Sequence, residues 1–262
     1  MRFVLAVALA GCSFHHGTAA GSSGDASGSA SDAAGSASDA ASDAASDARN
    51  IDGPPDAAPV PVTFVQSAGA DSATDVVSAG FAGARVAGDV EVVAISWPDT
   101  ALTVVSVTDS DGNTFQQVGA GIALTGHGVL AVYIAPNVGA RTGAYTASAT
   151  LTGSTSGTLV VAQYRGVDTA NAIEGTASSS GTTGTAADSG AFVTTHPHDL
   201  IIGAMGANRT FAAGAGFTSR VNQSSTMIED HEVMAAGSYD ATATLSSSGA
   251  WFARVIALRA AN

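Results

Sequence analysis

Residues 88–97 read Gly-Asp-Val-Glu-Val-Val-Ala-Ile-Ser-Trp, with Val90, Val92, Ala94 and Ser96 alternating against Glu91, Val93, Ile95 and Trp97. Both alternating sets are apolar almost throughout. That is the pattern of a strand covered on both faces, because a half-exposed strand would carry polar residues on every second position. The same theme returns in residues 102–107, 129–134, 145–151, 158–164, 200–205 and 251–258. Asp-Gly-Asn, Gly-Ala-Gly and Gly-Ser-Thr-Ser-Gly clusters separate these runs, supplying the residues that tight turns need. Outside the first 62 residues no run shows apolar positions at helical spacing, so the chain reads as all-β.

A weak internal duplication organises these strands. Residues 88–95 align with residues 198–205, placing Asp89 over Asp199, and Tyr145-Thr-Ala-Ser-Ala-Thr-Leu151 aligns with Tyr239-Asp-Ala-Thr-Ala-Thr-Leu245. Each half closes with a strand ending in Arg165 or Arg259. Two sets of strands that must each bury a face are most simply satisfied as a two-sheet, jelly-roll-like β-sandwich over residues 63–262. Two tandem immunoglobulin-like domains are the alternative, but the chain lacks the Cys…Trp…Cys spacing of that fold.

The 262 residues carry 22 acidic side chains against nine basic ones, all arginine, for a net charge of −13. An acidic surface with scattered arginines repels a polyanion, which argues against nucleic acid as a partner. Charged residues are only 12% and apolar residues 45%, a balance that requires a packed core somewhere in the chain.

Residues 1–11 read as an export signal: Arg2 precedes an apolar run from Phe3 to Ala10 that is too short to span a bilayer. The run ends in Leu9-Ala10-Gly11-Cys12, which resembles the lipobox of bacterial lipoproteins, and Cys12 is the single cysteine of the chain. The resemblance implies cleavage before Cys12, lipid attachment to its thiol and anchoring in the cell envelope. Ser13 at the next position implies outer-membrane sorting. Residues 12–62 are rich in Ala, Ser, Gly and Asp, with Asp39, Asp43 and Asp47 at a spacing where like charges oppose helix. They read as a disordered tether with a reach of roughly 40 Å, ending in Pro54-Pro55, Pro59 and Pro61. The paired His15 and His16 within it read as incidental.

A second resemblance is architectural. The Val107-to-Phe115 hairpin, the Val-Tyr-Ile-Ala-Pro-Asn segment and the Gln-Tyr-Arg-Gly-Val-Asp motif look like a poorly characterised sandwich module of bacterial exported proteins. It implies architecture and no activity.

Candidate chemistry is sparse. Asp109, Asp111 and Asn113 present alternate oxygen ligands that suggest calcium, although an EF-hand would have Gly and an acid where Thr114 and Ala120 stand. A turn is the simpler reading. His196 and His198 lie two apart before a strand, on one side of an extended chain, and a zinc or copper site there would need a ligand from elsewhere. Glu229-Asp230-His231-Glu232 is the densest charged cluster; in an extended chain its residues alternate between two faces, so the sequence implies no four-ligand convergence, and it reads as a solvated strand edge or loop. Glu174 with Glu232 is one pairing a glycosidase would need brought together in space. Trp97, Tyr133, Tyr164 and Trp251 stand in strands and are expected mainly to pack, with sugar stacking as the alternative. No nucleophile elbow occurs in the globular part. The expectation is a lipid-anchored, non-enzymatic envelope protein. It would present a binding or structural module for a carbohydrate, an envelope polymer or a protein. A surface polysaccharide hydrolase or lyase is the alternative.

Overall fold

The structure, a computed structural model, describes residues 60–262. The leader, Cys12, the paired histidines and nearly all of the expected tether lie outside the described residues. Contacts begin slightly ahead of the expected boundary: Val60 bridges Ala261, and Val62 is buried.

The first half contains β1 (Thr63–Ser72), β2 (Val76–Phe81), β3 (Asp89–Trp97), β4 (Val104–Asp109), β5 (Gln116–Gln117), β6 (Ile122–Leu124), β7 (Gly128–Val138), β8 (Tyr145–Leu151) and β9 (Gly157–Arg165). The second contains β10 (Ile173–Gly181), β11 (Ala186–Asp188), β12 (Phe192–Val193), β13 (Leu200–Ala207), β14 (Phe211–Ala213), β15 (Thr218–Gln223), β16 (Thr226–Glu232), β17 (Ser238–Tyr239), β18 (Thr242–Leu245) and β19 (Trp251–Leu258).

All-β sandwich architecture is present, and the duplication doubles its layers. In the first half one sheet runs β1-β9-β3-β7-β5, with β6 also on β7, and a second runs β2-β8-β4. In the second half the orders are β10-β19-β13-β16-β15 and β11-β18-β14, with β12 and β17 forming a small extra pair. Every pairing is antiparallel. Taking β5 and β6 as one strand and setting β12 and β17 aside, each larger sheet orders its half's strands first, eighth, third and sixth, and each smaller sheet orders them second, seventh and fourth. That is jelly-roll winding, with the fifth strand moved to the edge of the larger sheet.

Three apolar layers explain why β3 is buried along its whole length. Val90, Val92 and Ala94 point into a core shared with Leu200, Ile202, Ala204 and Ile256 of the other half. Val93, Ile95 and Trp97 point the opposite way, onto Val77, Ala147 and Leu151 of the first half's smaller sheet. Ile201, Met205 and Val255 meet Ala187, Ala243 and Leu245 in the third core. The larger sheets are therefore internal to the stack, and the near-continuous apolar strands follow from that double burial. Small residues set the spacing: a Cβ added at Gly69 of β1 would stand 2.8 Å from Gln223 Cβ of β15.

Both halves place a β-bulge at the same point of their first strand. Register slips between Phe64 and Gln66 against β9, and between Ile173 and Gly175 against β19. The extra residue is Val65 in one half and Glu174 in the other.

Candidate binding cleft and polar clusters

Asp109 ends β4 and its turn crosses to the other sheet rather than forming a hairpin, with Gly112 at φ 77°. Its carboxylate receives the N–H groups of Asp111 and Asn113 at 3.0 and 2.9 Å. The Asn113 amide donates to the other oxygen at 2.5 Å. The remaining acceptor capacity is taken by a cation already in the chain. Arg85, 2% exposed, donates to Glu91 Oε1 and Asp109 Oδ2, both at 2.7 Å, and also pairs with Asp111. Arg141 pairs with Asp111 as well. The Arg85 guanidinium lies 4.2 Å over the Tyr145 ring. Burial pushes the Glu91 carboxyl up despite the neighbouring guanidinium, whereas Asp109 is held below the usual carboxylate range by Asn113, Arg85 and backbone donors against its burial. The oxygens offered to calcium by spacing are thus occupied by arginine and by backbone N–H groups.

His196 and His198 do not act together. His198 adopts φ 64°, which breaks the extended alternation that would place both rings on one side. His196 Nδ1 instead lies 3.0 Å from Glu174 Oε1, which also accepts the N–H and hydroxyl of Thr195. Glu174 in turn faces Asp199, whose carboxyl is fully buried and raised by burial first and by Glu174 second. Glu174 is held below its usual range, against burial, by Asp199, Thr195 and His196. Among the described residues no three His, Cys, Asp or Glu side chains are arranged around a single point as a ready coordination sphere.

Glu174 and Glu232 do not pair. Their strands are separated by β19 and β13, three strand spacings or roughly 14 Å, beyond the range of a glycosidase pair. The 229–232 cluster splits across the sheet. Glu229 points into the second half, where its Oε2 accepts the Gly214 N–H at 3.0 Å. On the opposite face Asp230 receives Arg220 Nε at 2.9 and 2.8 Å on its two oxygens, while His231, on the Glu229 side, has its Nδ1 2.6 Å from the Gly216 carbonyl. Tyr133 and Tyr164 are core residues, and Trp251 covers Gly181, where an added Cβ would stand 2.6 Å from the indole nitrogen.

Spacing did not point to a cleft that both halves of the fold assemble. A cleft of about 390 Å³ lies where the far ends of β3, β9 and β13 meet the β15–β16 turn, so both halves line it. Its apolar wall comes from Trp97, Pro98, Val129 and Phe252, and its polar groups include Asp71, His127, Asn208 and Ser225. Trp97 is fixed by an N–H bond to the Leu102 carbonyl at 3.2 Å. Hydroxyls join the halves behind the cleft: Ser96 Oγ lies 2.6 Å from Thr226 Oγ1, and Thr158 Oγ1 lies 2.9 Å from Ser225 Oγ. Asp71 accepts from Thr158, Gln223 and Ser224 at 2.7, 2.6 and 2.7 Å. Burial opposes ionisation there, but these three donors hold the carboxyl below its ordinary range. Ser224 carries a positive φ of 41° at this rim, a conformation uncommon for a non-glycine residue.

Comparison with protein-family models, with curated proteins and with solved structures finds no match for this chain.

Proposed function

We propose that the chain is a non-catalytic binding module of the bacterial cell envelope, anchored through a lipid on Cys12, and that the cleft between its halves receives a saccharide unit of an envelope glycan. The observation that carries this reading is the composition of the cleft. Pro98 and the edges of the largely buried Trp97, Val129 and Phe252 make an apolar floor that suits the apolar face of a sugar ring, while a carboxylate, an imidazole, an amide and several hydroxyls suit its hydroxyl groups. Asp71 is the one carboxylate lining the cleft, and its three donors keep it an acceptor. Hydrolysis by a carboxylate pair would need a second acid, able to carry a proton, across the bound sugar. The net charge of −13 favours neutral or amino-sugar glycans over acidic ones.

Calorimetric titration of the full chain with neutral and amino-sugar oligosaccharides tests the reading. Asn208→Ala and His127→Ala both line the cleft and lie away from the cores. Each is expected to weaken binding by about tenfold, the scale of a lost hydrogen bond that the ligand cannot remake. Absence of binding at millimolar sugar, or binding unchanged in both variants, refutes it.

A further inference from the structure

The two halves provide an internal comparison at one structural position. Asp89 and Asp199 immediately precede the paired positions Val90↔Tyr164 and Leu200↔Leu258, so each stands beside the arginine that follows the closing strand's last paired core residue. In the first half that arginine neutralises the acid. Arg165 donates from Nε to Asp89 Oδ1 at 2.7 Å and from Nη2 to Oδ2 at 2.8 Å, and Gln163 donates to Oδ2 at 2.5 Å. A buried carboxylate with a bidentate guanidinium is chemically complete.

The second half keeps the acid and loses the counter-charge. Arg259 turns to Asp168, with Nε 3.8 Å from Oδ2, and Ala257 occupies the place of Gln163. A second acid is added: the bulge that presents Val65 in the first half presents Glu174 here. Asp199 is wholly buried, the side chain it faces is a second acid, Glu174, and among the described residues no cation or side-chain donor reaches either Asp199 oxygen or Glu174 Oε2. Glu174 Oε1 is oriented by Thr195 and His196, which leaves Oε2 for the interior. His196 stands at the solvent side, with 40% of its side chain exposed. Two acids facing each other in the interior, where the sister position holds an acid with its guanidinium, amount to a missing positive charge, since buried carboxylates without a counter-charge are costly.

We propose that Glu174 and Asp199 bind a divalent cation of the zinc class, with the His196 imidazole turning from Glu174 onto the metal as the third protein ligand. Carboxylate oxygen together with imidazole nitrogen is a donor set for zinc and its first-row neighbours rather than for an all-oxygen calcium cage. The site lies at the end of β13 opposite the cleft, roughly 25 Å away, so it is independent of sugar binding.

The test is titration of the full chain, freed of metal by chelator dialysis, with zinc chloride against a chromophoric competitor, alongside thermal unfolding. One equivalent is expected to bind and to raise the melting temperature, because a ligand held by the folded state alone stabilises it. Glu174→Val, which copies the residue of the first half, and His196→Ala are each expected to weaken binding at least about tenfold. Asp89→Asn is expected to leave it unchanged. Glu174→Val removes an acid from the edge strand β10 and leaves Asp199 in place, and the melting transition of the metal-free variant separates lost binding from misfolding. Absence of zinc binding would mean that the two carboxyls share a proton only, and it overturns the proposal. So does zinc binding of equal strength in Glu174→Val and His196→Ala, which would place the metal at other histidines.

Discussion

Replacing Glu229 with glutamine measures what burying this acid costs. The residue is inaccessible in β16, one oxygen is without a partner, and the other accepts only the Gly214 N–H. Burial first, and the neighbouring Asp230 charge second, push its carboxyl from the ordinary 4.5 up to about 8. Between those values the folded chain retains a proton that the unfolded chain has released. Stability from this residue is therefore complete below about pH 4.5, falls as pH rises through the window, and levels off above about 8. At about 1.36 kcal/mol per pH unit the loss is on the order of 3–5 kcal/mol. Glu229→Gln retains the shape and the acceptor for Gly214 but cannot ionise. Its advantage over the parent is expected to grow by that amount across the window, or ~10 °C in melting temperature for a fold of this size. Urea unfolding of both proteins from about pH 4 to about pH 9 is the assay. Asp199 is also raised, so the parent's own curve is composite, whereas the difference between the proteins isolates Glu229. A difference that stays within about 0.5 kcal/mol from one end to the other refutes the reasoning.

Arg85→Met leaves Glu91 and Asp109 buried without their guanidinium and is expected to cost about 3–5 kcal/mol, read from denaturant unfolding. A loss under about 1 kcal/mol would show that water replaces the pair cheaply. Gly128→Ala is expected to destabilise by about 1–3 kcal/mol, because Gly128 sits at φ 127° and an added Cβ would stand 2.6 Å from the Trp97 carbonyl. Unchanged melting would refute that strain. Cys12→Ser is expected to move the protein from the membrane to the soluble fraction. Equal membrane retention in both forms would remove the lipid reading of the thiol.

Periodicity made the strands legible because burial on both faces leaves a direct trace: Val92 to Ile95 and Ile201 to Met205 can be apolar on every position only inside a stack. The duplication was legible at Asp89 and Asp199 for the same reason. The number of layers was not, since nothing in the pattern of Val92 or Ile202 says whether the covering surface belongs to its own half or to the other. The ion cluster escaped because Arg85 lies in a loop without periodic context, and its partners come from β3, from the end of β4 and from the turn that follows it. His196 was visible, but Glu174 lies 22 positions earlier on a bulge, and its likeness to Val65 exists in register and not in residue type. The cleft is assembled from residues as distant as Asp71 and Ser224, 153 positions apart, and no local spacing encodes such a meeting.

The bridge between Val60 and Ala261 brings the entry and departure of the backbone to one edge, while the cleft opens at the other end of the strands. A unit stitched shut at a single seam is portable. Joining its two strand ends through a short glycine-rich connection and reopening the chain at an exposed turn is a rearrangement that folds with adjoining termini commonly tolerate. The same seam would allow the pair of jelly rolls to be set into a surface loop of a host protein without spreading that loop, with the cleft still facing outward.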